Sequence, residues 1–473
     1  MEKLSGSYIN YIRRLLQGLA ETETLGHREK HMVASRCPAN LLWQEWEKTV
    51  RYCRNKVILI DAVSETTWTG NDLRLLIEKF LDEMPSWRVG EKIGFRLAGA
   101  QGIALFLALQ RRSLMAVPFD VGMSREGCMD LAERLQIKAL YWEGFFHSFD
   151  CSKKGQKGGC VKITSGGGGG IPKAIECRVE HLLADGRQVI KSMGLRRKDR
   201  HLAAIPLGHS YGLGNLVMPL ILQGTTLIFA EQFVPRQLIE WMDRFQGTVF
   251  PGVPALFRAL AAMPGNKTPS SLRLVISAGA PLQADVARAF FHRYRTNIHN
   301  FYGSSETGGI CYDRTGSASL DGRSVGKPLN GVTVSIRRGK IVVKSAAVAT
   351  RSGQWELPDQ GEWNRCGELV LLGRVARDAN IGGKKVHPFE IEEVLRSMEA
   401  VSDAGVWVLQ SKGREYLGAA VETALNQQEI EVLLMDRLPA WKIPKRYFIA
   451  SELPRTPRGK LDAVKLRKHL EIS

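Results

Sequence analysis

A run of glycines is the most unusual stretch of the chain. Thr164 and Ser165 come directly before Gly166, Gly167, Gly168, Gly169 and Gly170, and Lys173 follows three residues later. Glycine has no Cβ, so such a run can turn several backbone N–H groups toward one point. A nest of N–H groups suits a polyphosphate, and a nearby lysine adds a positive charge. A flexible glycine linker is an equally good explanation of the run taken alone.

A second polar stretch, residues 300–308, reads Asn-Phe-Tyr-Gly-Ser-Ser-Glu-Thr-Gly. The face of Tyr302 can stack on a base, and beyond Gly303 the hydroxyl of Ser305 can contact phosphate. The carboxylate of Glu306 is a hard oxygen ligand of the kind that Mg²⁺ prefers. A polar turn without a ligand is the alternative, and this combination is less typical of it.

Three further stretches carry one or two candidates each. Asp359 and Arg374 flank a predicted turn and strand, and a carboxylate can bind ribose hydroxyls through two hydrogen bonds. Lys460 lies on a loop rich in Pro and Gly, where solvent exposure is the alternative. Gly279 and Ala280 follow a predicted strand, and small residues there let a flat ligand approach the backbone. An ordinary strand-to-helix turn has the same composition.

His209 and Ser210 occur in Gly-His-Ser-Tyr-Gly, residues 208–212. This segment also fits the G-x-S-x-G nucleophile elbow of α/β-hydrolases, with Ser210 as the nucleophile. A hydrolase leaves the other motifs without a role, and chance matches to so short a pattern are common. The chain has no Walker A and no G-x-G-x-x-G motif, so a nucleotide site here is of another kind.

The elements that position these residues alternate between strand and helix, which is typical of a parallel α/β sheet. Apolar runs predict strands at 57–60, 92–97, 113–118, 138–142, 160–164, 201–205, 225–229, 248–250 and 272–277. Periodicity predicts helices within 1–55 and at 73–81, 100–111, 175–193, 233–245, 254–263 and 283–295. The glycine run thus falls between a strand and a helix, where phosphate sites are often built, and this favours the phosphate site over the linker.

From about residue 320 the pattern changes to short β-like segments, at 333–336, 340–344 and 368–372. A segment of about a hundred residues with its own strand and helix alternation follows. We therefore predict two domains, 1–374 and 375–473.

Composition sets the broad class of protein. The 473 residues are 44% hydrophobic and carry a net charge of +18, with the basic residues spread along the chain. Such a surface specifies no partner, and no nucleic-acid recognition motif accompanies it. The eight cysteines form no C-x-x-C pair, which indicates reduced thiols rather than structural zinc. The expectation is a soluble, cytoplasmic protein without a signal peptide, a membrane span or a nucleic-acid partner.

Taken together and in this order, the motifs resemble those of the adenylate-forming (AMP-binding) superfamily: acyl- and aryl-CoA synthetases, adenylation domains and luciferases. The resemblance runs from about residue 66 to 462. It implies an α/β fold with a large N-terminal domain of stacked mixed and parallel sheets, a β-rich subdomain, and a small mobile α+β C-terminal lid. It also implies that a carboxylic acid reacts with ATP and Mg²⁺ to an acyl-adenylate, and that CoA or the phosphopantetheine of an acyl-carrier protein then takes the acyl group.

The resemblance also implies roles for individual residues. The glycine run with Lys173 would hold the β- and γ-phosphates, Glu306 would hold Mg²⁺, and Lys460 would bridge the α-phosphate and the carboxylate. The nucleotide would be lined by Gly279, Ala280, Tyr302, Gly303, Ser305, Asp359 and Arg374. His209 would neighbour the acyl carboxylate, Gly383 would line the thiol tunnel, and Phe250, Gly252 and Val253 would shape the acyl pocket.

Three features depart from the family pattern. Glycines replace the hydroxyl residues in the middle of the phosphate loop, and the segment from Thr164 to Lys173 is one residue longer than usual. Ala376 stands where a polar hinge residue is usual, and the chain is short. The expected activity is an acyl- or aryl-CoA ligase. Loading of a carrier protein, a catalytically degraded nucleotide- or acyl-binding relative and the Ser210 hydrolase are the alternatives.

Overall fold

The computed structural model describes eleven stretches of the chain. They are residues 40–150, 154–163, 173–230, 234–264, 268–322, 324–374, 379–381, 384–386, 388–411, 414–456 and 461–472. Much of the region predicted to be helical at 1–55 lies outside them, and its described part contains the helix Leu41–Cys53. Within these stretches no helix is both long enough and apolar enough to cross a bilayer.

The elements alternate as the sequence predicts through the first two thirds of the chain. The helices of eight or more residues are α1 (Leu41–Cys53), α2 (Gly70–Glu83), α3 (Gly99–Arg111), α4 (Arg125–Arg134), α5 (Val179–Met193), α8 (Pro235–Arg244), α9 (Pro254–Ala262), α10 (Ala284–Tyr294), α12 (Pro388–Arg396), α13 (Gln427–Met435) and α14 (Ala463–Ile472). The shorter ones are α6 (Ser210–Gly212), α7 (Met218–Gln223) and α11 (Ser317–Asp321), and a π-helical segment (Leu213–Val217) joins α6 to α7.

A nine-stranded sheet forms the larger part of the fold. Its strands are β1 (Val57–Asp61), β2 (Thr67–Thr69), β9 (Arg200–Ala203), β10 (Thr226–Phe229), β11 (Val249–Gly252), β12 (Leu274–Ser277), β13 (Ile298–Ser304), β14 (Gly308–Tyr312) and β15 (Lys327–Pro328). The order is β15-β14-β13-β12-β11-β9-β10-β1-β2, parallel from β13 to β1 and antiparallel at both edges. Helices α8, α9 and α10 bury its central strands in one apolar cluster that includes Phe250, Phe257 and Phe290.

A second sheet has six strands: β3 (Lys92–Phe95), β4 (Met115–Pro118), β5 (Ala139–Trp142), β6 (Phe145–Ser148), β7 (Cys160–Ile163) and β8 (Ala174–Cys177). Their order is β6-β5-β3-β4-β7-β8. Strand β8 corrects the predicted helix 175–193, because Ala174 to Cys177 pair antiparallel with β7 and the helix begins only at Val179. The glycine run therefore connects two antiparallel strands rather than a strand and a helix.

Three smaller sheets follow. Strands β16 (Thr333–Arg337), β17 (Lys340–Lys344), β18 (Gln354–Trp363) and β19 (Leu369–Arg374) form an antiparallel meander. Strands β20 (Ala379–Ile381) and β21 (Lys384–Val386) form a hairpin, and β22 (Val401–Ser411), β23 (Arg414–Thr423) and β24 (Arg446–Ala450) form the last sheet. Helices α12 and α13 share an apolar cluster of their own with that sheet. The mixed α/β architecture, with its β-rich region, confirms the expected fold class.

Asp199 directly precedes β9, the strand that leads to His209, and it links β9 to β11 and β12 of the nine-stranded sheet. It is 1% exposed, and its carboxylate accepts hydrogen bonds from Thr248 at 3.1 Å and from Arg273 Nε at 2.8 Å. Burial raises the pKa of Asp199, but the hydrogen bonds from Arg273 and from the backbone of Arg196 outweigh burial, so the net pKa is lowered. Because the folded pKa is lowered, the carboxylate stabilises the fold above its ordinary pKa of about 4 and loses this effect as the pH falls through the folded value.

Asp199→Ala is expected to lower the free energy of unfolding at pH 7 by about 3 kcal/mol, because it leaves the Arg273 guanidinium without its carboxylate partner. Urea denaturation followed by circular dichroism measures this change. The matched control is Glu240→Ala, which breaks an exposed ion pair with Arg236 on α8 and should change stability by at most about 0.5 kcal/mol. A loss for Asp199→Ala no larger than that of the control would show that this carboxylate does not hold the strands together.

Candidate active site

Tyr302 and Asp359 meet, although they come from different sheets. Tyr302 lies near the end of β13, and its hydroxyl donates a hydrogen bond to Asp359 Oδ2 on β18 at 2.8 Å. This contact places the predicted base-stacking ring beside the predicted ribose-binding carboxylate. Arg374 is the register partner of Asp359 across the β18–β19 pair, which fits a place nearby, while its side chain lies outside the described part of the structure.

The turn between β13 and β14 carries Ser305 and Glu306. Ser304 Oγ accepts the backbone N–H of Thr307 at 3.2 Å and so closes the turn. The carbonyl oxygen of Glu306 accepts the N–H of Ala349 at 2.8 Å. These two hydrogen bonds fix the backbone of the turn, from which the half-buried side chain of Glu306 extends.

Ser210 brings the start of α6 to this turn. Its hydroxyl lies 2.6 Å from the hydroxyl of Ser305, so the motif at 208–212 and the motif at 300–308 form one site. His209 is the N-cap residue of α6, and its Nδ1 accepts the N–H of Tyr211 at 3.5 Å. The partner of Ser210 here is another hydroxyl, whereas a nucleophile elbow needs a base in that place. The arrangement therefore gives the hydrolase alternative no support.

Helix α6 packs tightly because it contains Gly212, and a π-helical segment follows it. A Cβ on Gly212 would lie 2.2 Å from the carbonyl oxygen of Pro206, so only glycine fits at this position. The π-helical residues Leu213–Val217 insert an extra residue into the helix, a feature that often occurs at functional sites. Tyr211 anchors this segment to β12 through a 3.1 Å hydrogen bond to the Ile276 carbonyl oxygen.

The predicted adenine and acyl regions are adjacent. Gly279 is exposed, has φ +88°, and a Cβ there would lie 3.7 Å from Val253 Cγ1. Ala280 is also exposed. Gly252 is buried. Phe250 has no exposed surface and packs edge-on against Phe257 in the core. The assignment of these residues to an acyl pocket stays a prediction.

Several predicted residues lie outside the described stretches: Thr164, Ser165, Gly166, Gly167, Gly168, Gly169, Gly170, Gly383 and Lys460. Lys173 is described, is exposed and comes directly before β8. Gly303 is exposed in β13 and lies against the backbone of Gly308, where a Cβ would be 2.7 Å from the carbonyl oxygen.

Sequence reasoning missed a buried charged group behind the turn. Lys162 on β7 is 3% exposed, and Asp185 on α5 is 5% exposed. Burial disfavours the ammonium form, but attraction by nearby groups outweighs it and raises the pKa of Lys162. These groups are Cys177, Asp185, Cys160 and Glu306. The presence of a lysine inside the otherwise apolar segment Cys160–Ile163 could have indicated this buried charge from the sequence.

Glu306, the predicted metal ligand, offers a carboxylate, which is the hard oxygen donor that Mg²⁺ prefers. Across the stretches described above, no group of three or more His, Cys, Asp or Glu residues could hold a metal. The role of Glu306 as an Mg²⁺ ligand, shared with phosphate oxygens and water as is usual beside nucleotides, stays a prediction.

Comparison with known proteins places the chain in a family. The family model for AMP-binding enzymes matches residues 159–346, and the model for their C-terminal domain matches residues 390–460. The 4-hydroxybenzoate–CoA/benzoate–CoA ligase of Rhodopseudomonas palustris is 28% identical over 87% of this chain and 77% of the relative. Benzoate–CoA ligase of Thauera aromatica is also 28% identical, over 65% of this chain and 65% of the relative.

A solved structure shares the fold. O-succinylbenzoate coenzyme A synthetase from Bacillus subtilis, in complex with ATP and magnesium ion, superposes with a TM-score of 0.77 at 21% identity, covering 90% of this chain and 99% of that one. Both family models match in the order of the motifs found in the sequence, and the fold agrees over nearly the whole chain. The chain therefore belongs to the adenylate-forming superfamily of AMP-binding enzymes.

Proposed function

We propose that the protein is an ATP-dependent acid–thiol ligase that activates an aromatic carboxylic acid and transfers it to CoA. The observation that carries this proposal is the 2.8 Å hydrogen bond between Tyr302 and Asp359, beside the turn with Ser305 and Glu306. The residues that we assign to the base, ribose, phosphate and metal thus lie close together. The two-domain division at Arg374, with the C-terminal residues as a mobile lid, is part of the same proposal.

The reaction has two steps. A carboxylate oxygen of the acid attacks the α-phosphorus of ATP, the bond to the β-phosphate breaks, and pyrophosphate leaves. The thiol sulfur then attacks the acyl carbon, the bond to AMP breaks, and the thiol proton passes to solvent. Mg²⁺ would offset the charge of the phosphates. The side chains of this chain hold the reactants: Asp359 accepts hydrogen bonds from the ribose hydroxyls, and Ser305 donates to phosphate.

The roles of the remaining side chains follow from the need to bring two anions together. A positive group between the carboxylate and the α-phosphate stabilises the charge that develops during attack, and we assign Lys460 to this role. His209 directly precedes Ser210, which contacts the β13–β14 turn. We assign His209 to the path by which the carboxylic acid enters the site. Gly279 and Val253 lie next to each other, where the adenylate and the acyl group would join.

The substrate class and the acceptor come from the relatives. Those named above act on benzoate and 4-hydroxybenzoate as CoA ligases, so an aromatic acid and free CoA are favoured over an aliphatic acid and a carrier protein. The surplus of basic residues is compatible with an acidic carrier protein, but a basic surface alone does not specify one.

Pyrophosphate release is the direct test. We expect release that needs ATP, Mg²⁺ and an acid, with aryl acids at least about 10-fold better in kcat/KM than aliphatic acids of similar size, because one or two unfilled hydrophobic contacts change binding by this amount. Addition of CoA should then give a thioester that absorbs in the ultraviolet. Folded protein that releases no pyrophosphate with any acid of a broad aryl and aliphatic panel would overturn the ligase assignment and favour a degraded nucleotide-binding relative.

A further inference from the structure

Two serine hydroxyls from distant parts of the chain meet where α6 approaches the turn between β13 and β14. Ser210 Oγ lies 2.6 Å from Ser305 Oγ, although the two residues are 95 positions apart in the sequence. This distance is typical of a short O–H···O hydrogen bond. Both side chains are half-buried, so water competes only in part for this bond. The reaction described above uses Ser305 and gives Ser210 no role.

The backbone that carries Ser210 is held in place on its C-terminal side. The N–H of Leu213 donates a hydrogen bond to the carbonyl oxygen of His209 at 2.7 Å. The hydroxyl of Tyr211 donates to the carbonyl oxygen of Ile276 at 3.1 Å, which ties α6 to β12. The β13–β14 turn is held by the two hydrogen bonds described above. Because both backbones are fixed, the meeting of the two serine hydroxyls is a property of the fold.

The pair of serines has two hydroxyl hydrogens and one hydrogen bond between them. A serine hydroxyl donates one hydrogen and accepts up to two. Among the described residues, the hydroxyls of Ser210 and Ser305 have no hydrogen-bond partner other than each other. One hydrogen of the pair is therefore left for a ligand, and the direction of the bond between the serines decides which serine offers it.

A phosphate ligand fixes this direction. The oxygens of an ionised phosphate only accept hydrogen bonds, so a hydroxyl that contacts them must donate its hydrogen. When Ser305 donates to phosphate, its only hydrogen is used, and the bond with Ser210 must run from Ser210 to Ser305. A hydroxyl that accepts a hydrogen bond is polarised and becomes a stronger donor, so the first bond strengthens the second.

We propose that Ser210 is a positioning residue for the phosphate contact of Ser305. It donates to Ser305 Oγ, directs the Ser305 hydrogen toward the phosphate and strengthens that hydrogen bond. The segment Gly-His-Ser-Tyr-Gly thus places a hydroxyl behind the nucleotide rather than a nucleophile. This inference rests on the proposed function, in which Ser305 contacts phosphate.

The test is nucleotide binding by calorimetry to the full-length protein and its variants, with magnesium ATP and adenosine as ligands. Ser305→Ala should raise the Kd for magnesium ATP by about 10-fold, because it removes a hydrogen bond to a charged group. Ser210→Ala keeps the phosphate donor and removes only the bond that orients it, so the same Kd should rise by about 3- to 5-fold. Adenosine has no phosphate, and its Kd should stay within about 2-fold in both variants.

The double variant Ser210→Ala/Ser305→Ala separates positioning from a structural role. Once the Ser305 hydroxyl is gone, Ser210 has nothing to orient, so the double variant should bind magnesium ATP within about 1.5-fold of Ser305→Ala. The proposal is overturned if Ser210→Ala weakens magnesium ATP binding by the same factor in both backgrounds. It is also overturned if this variant weakens adenosine binding equally, or if it leaves the affinity for magnesium ATP unchanged.

A second hydroxyl pair offers a matched control. Thr315 Oγ1 lies 2.6 Å from Ser317 Oγ in an exposed loop at the start of α11. Ser317→Ala removes one hydroxyl from a pair of the same length and should leave the Kd for magnesium ATP unchanged. A rise as large as that of Ser210→Ala would show that the effect does not depend on the contact with Ser305.

A failure of the proposed function is distinguishable from a failure of this inference. Wild-type protein that does not bind magnesium ATP overturns both. Wild-type protein that binds magnesium ATP but releases no pyrophosphate with any acid overturns the ligase assignment, while the affinities of the four serine variants and the wild type still decide the role of Ser210. Wild-type protein that releases pyrophosphate, together with a Ser210→Ala variant of unchanged affinity, overturns the inference alone.

Discussion

Lys460→Ala is expected to slow acyl-adenylate formation by at least about 100-fold, while thioester formation from a supplied acyl-adenylate stays within about 3-fold of the wild-type rate. The reason is that the lysine is assigned to the charge that develops between the carboxylate and the α-phosphate, and loss of one such stabilising group typically lowers a rate by this amount. The second step has no attack on phosphorus and does not use that charge. Single-turnover pyrophosphate release and thioester formation measure the two steps separately.

The surroundings of Lys460 supply the control. Arg455 and Leu461, which precede and follow Lys460 in the sequence, form an antiparallel bridge, and Arg455 is held by Asp403 at 3.0 Å and Glu422 at 2.8 Å. Lys465→Ala removes an exposed lysine from α14, just beyond the bridge, and should change neither step. Equal loss of both steps in Lys460→Ala would contradict the role assigned to this lysine.

Asp359→Ala is expected to raise the KM for ATP by about 100-fold, with little change in the KM for the acid. A carboxylate that accepts two ribose hydroxyls forms two charge-assisted hydrogen bonds, each of about 1.5 kcal/mol or more, and alanine removes both. Tyr302→Phe removes only the hydroxyl that orients this carboxylate and should raise the same KM by about 3- to 10-fold. Initial rates of pyrophosphate release at varied ATP and acid concentrations measure both constants.

The same strand offers a matched control for Asp359. Glu356 lies three residues earlier on β18 and pairs with Lys340 at the surface, at 2.7 Å. Glu356→Ala should leave the KM for ATP within about 2-fold of the wild-type value. If Asp359→Ala raised the KM for the acid as much as the KM for ATP, Asp359 would be a general support of the site and not the ribose ligand.

Elements with a strong local pattern were predictable from the sequence. Nine strands of the two larger sheets were predicted to within a few residues, because an apolar run between turn residues identifies a buried strand. The remaining strands of these sheets, β2, β6, β8, β13, β14 and β15, were not predicted. Helix α2 begins at Gly70 rather than Leu73, since Thr69 and Asp72 form a reciprocal capping box before the apolar pattern starts. The helix predicted from 175 was wrong over its first residues, because strand pairing with β7 overrides the local pattern.

The contacts that build the site could not be predicted from local sequence patterns. Tyr302 and Asp359 are 57 residues apart, and Ser210 and Ser305 are 95 residues apart. Their residue types pointed to nucleotide chemistry, but their proximity depends on the order of strands in two sheets. The burial of Lys162 was missed for the same reason, since it depends on the packing of the folded sheet.

The strand order of the two large sheets also determines when each can be completed as the chain leaves the ribosome. All strands of the six-stranded sheet come from one continuous stretch that ends at Cys177, so every partner has been synthesised before β9 begins at Arg200. Strand β1, by contrast, has its parallel partner β10 at Thr226–Phe229, and the sheet that contains both closes only with Pro328. Strand β1 must therefore wait, paired at most with β2, while the six-stranded sheet that follows it in sequence is already complete. Non-local pairing of this kind slows the folding of the nine-stranded sheet, so the six-stranded sheet can fold first.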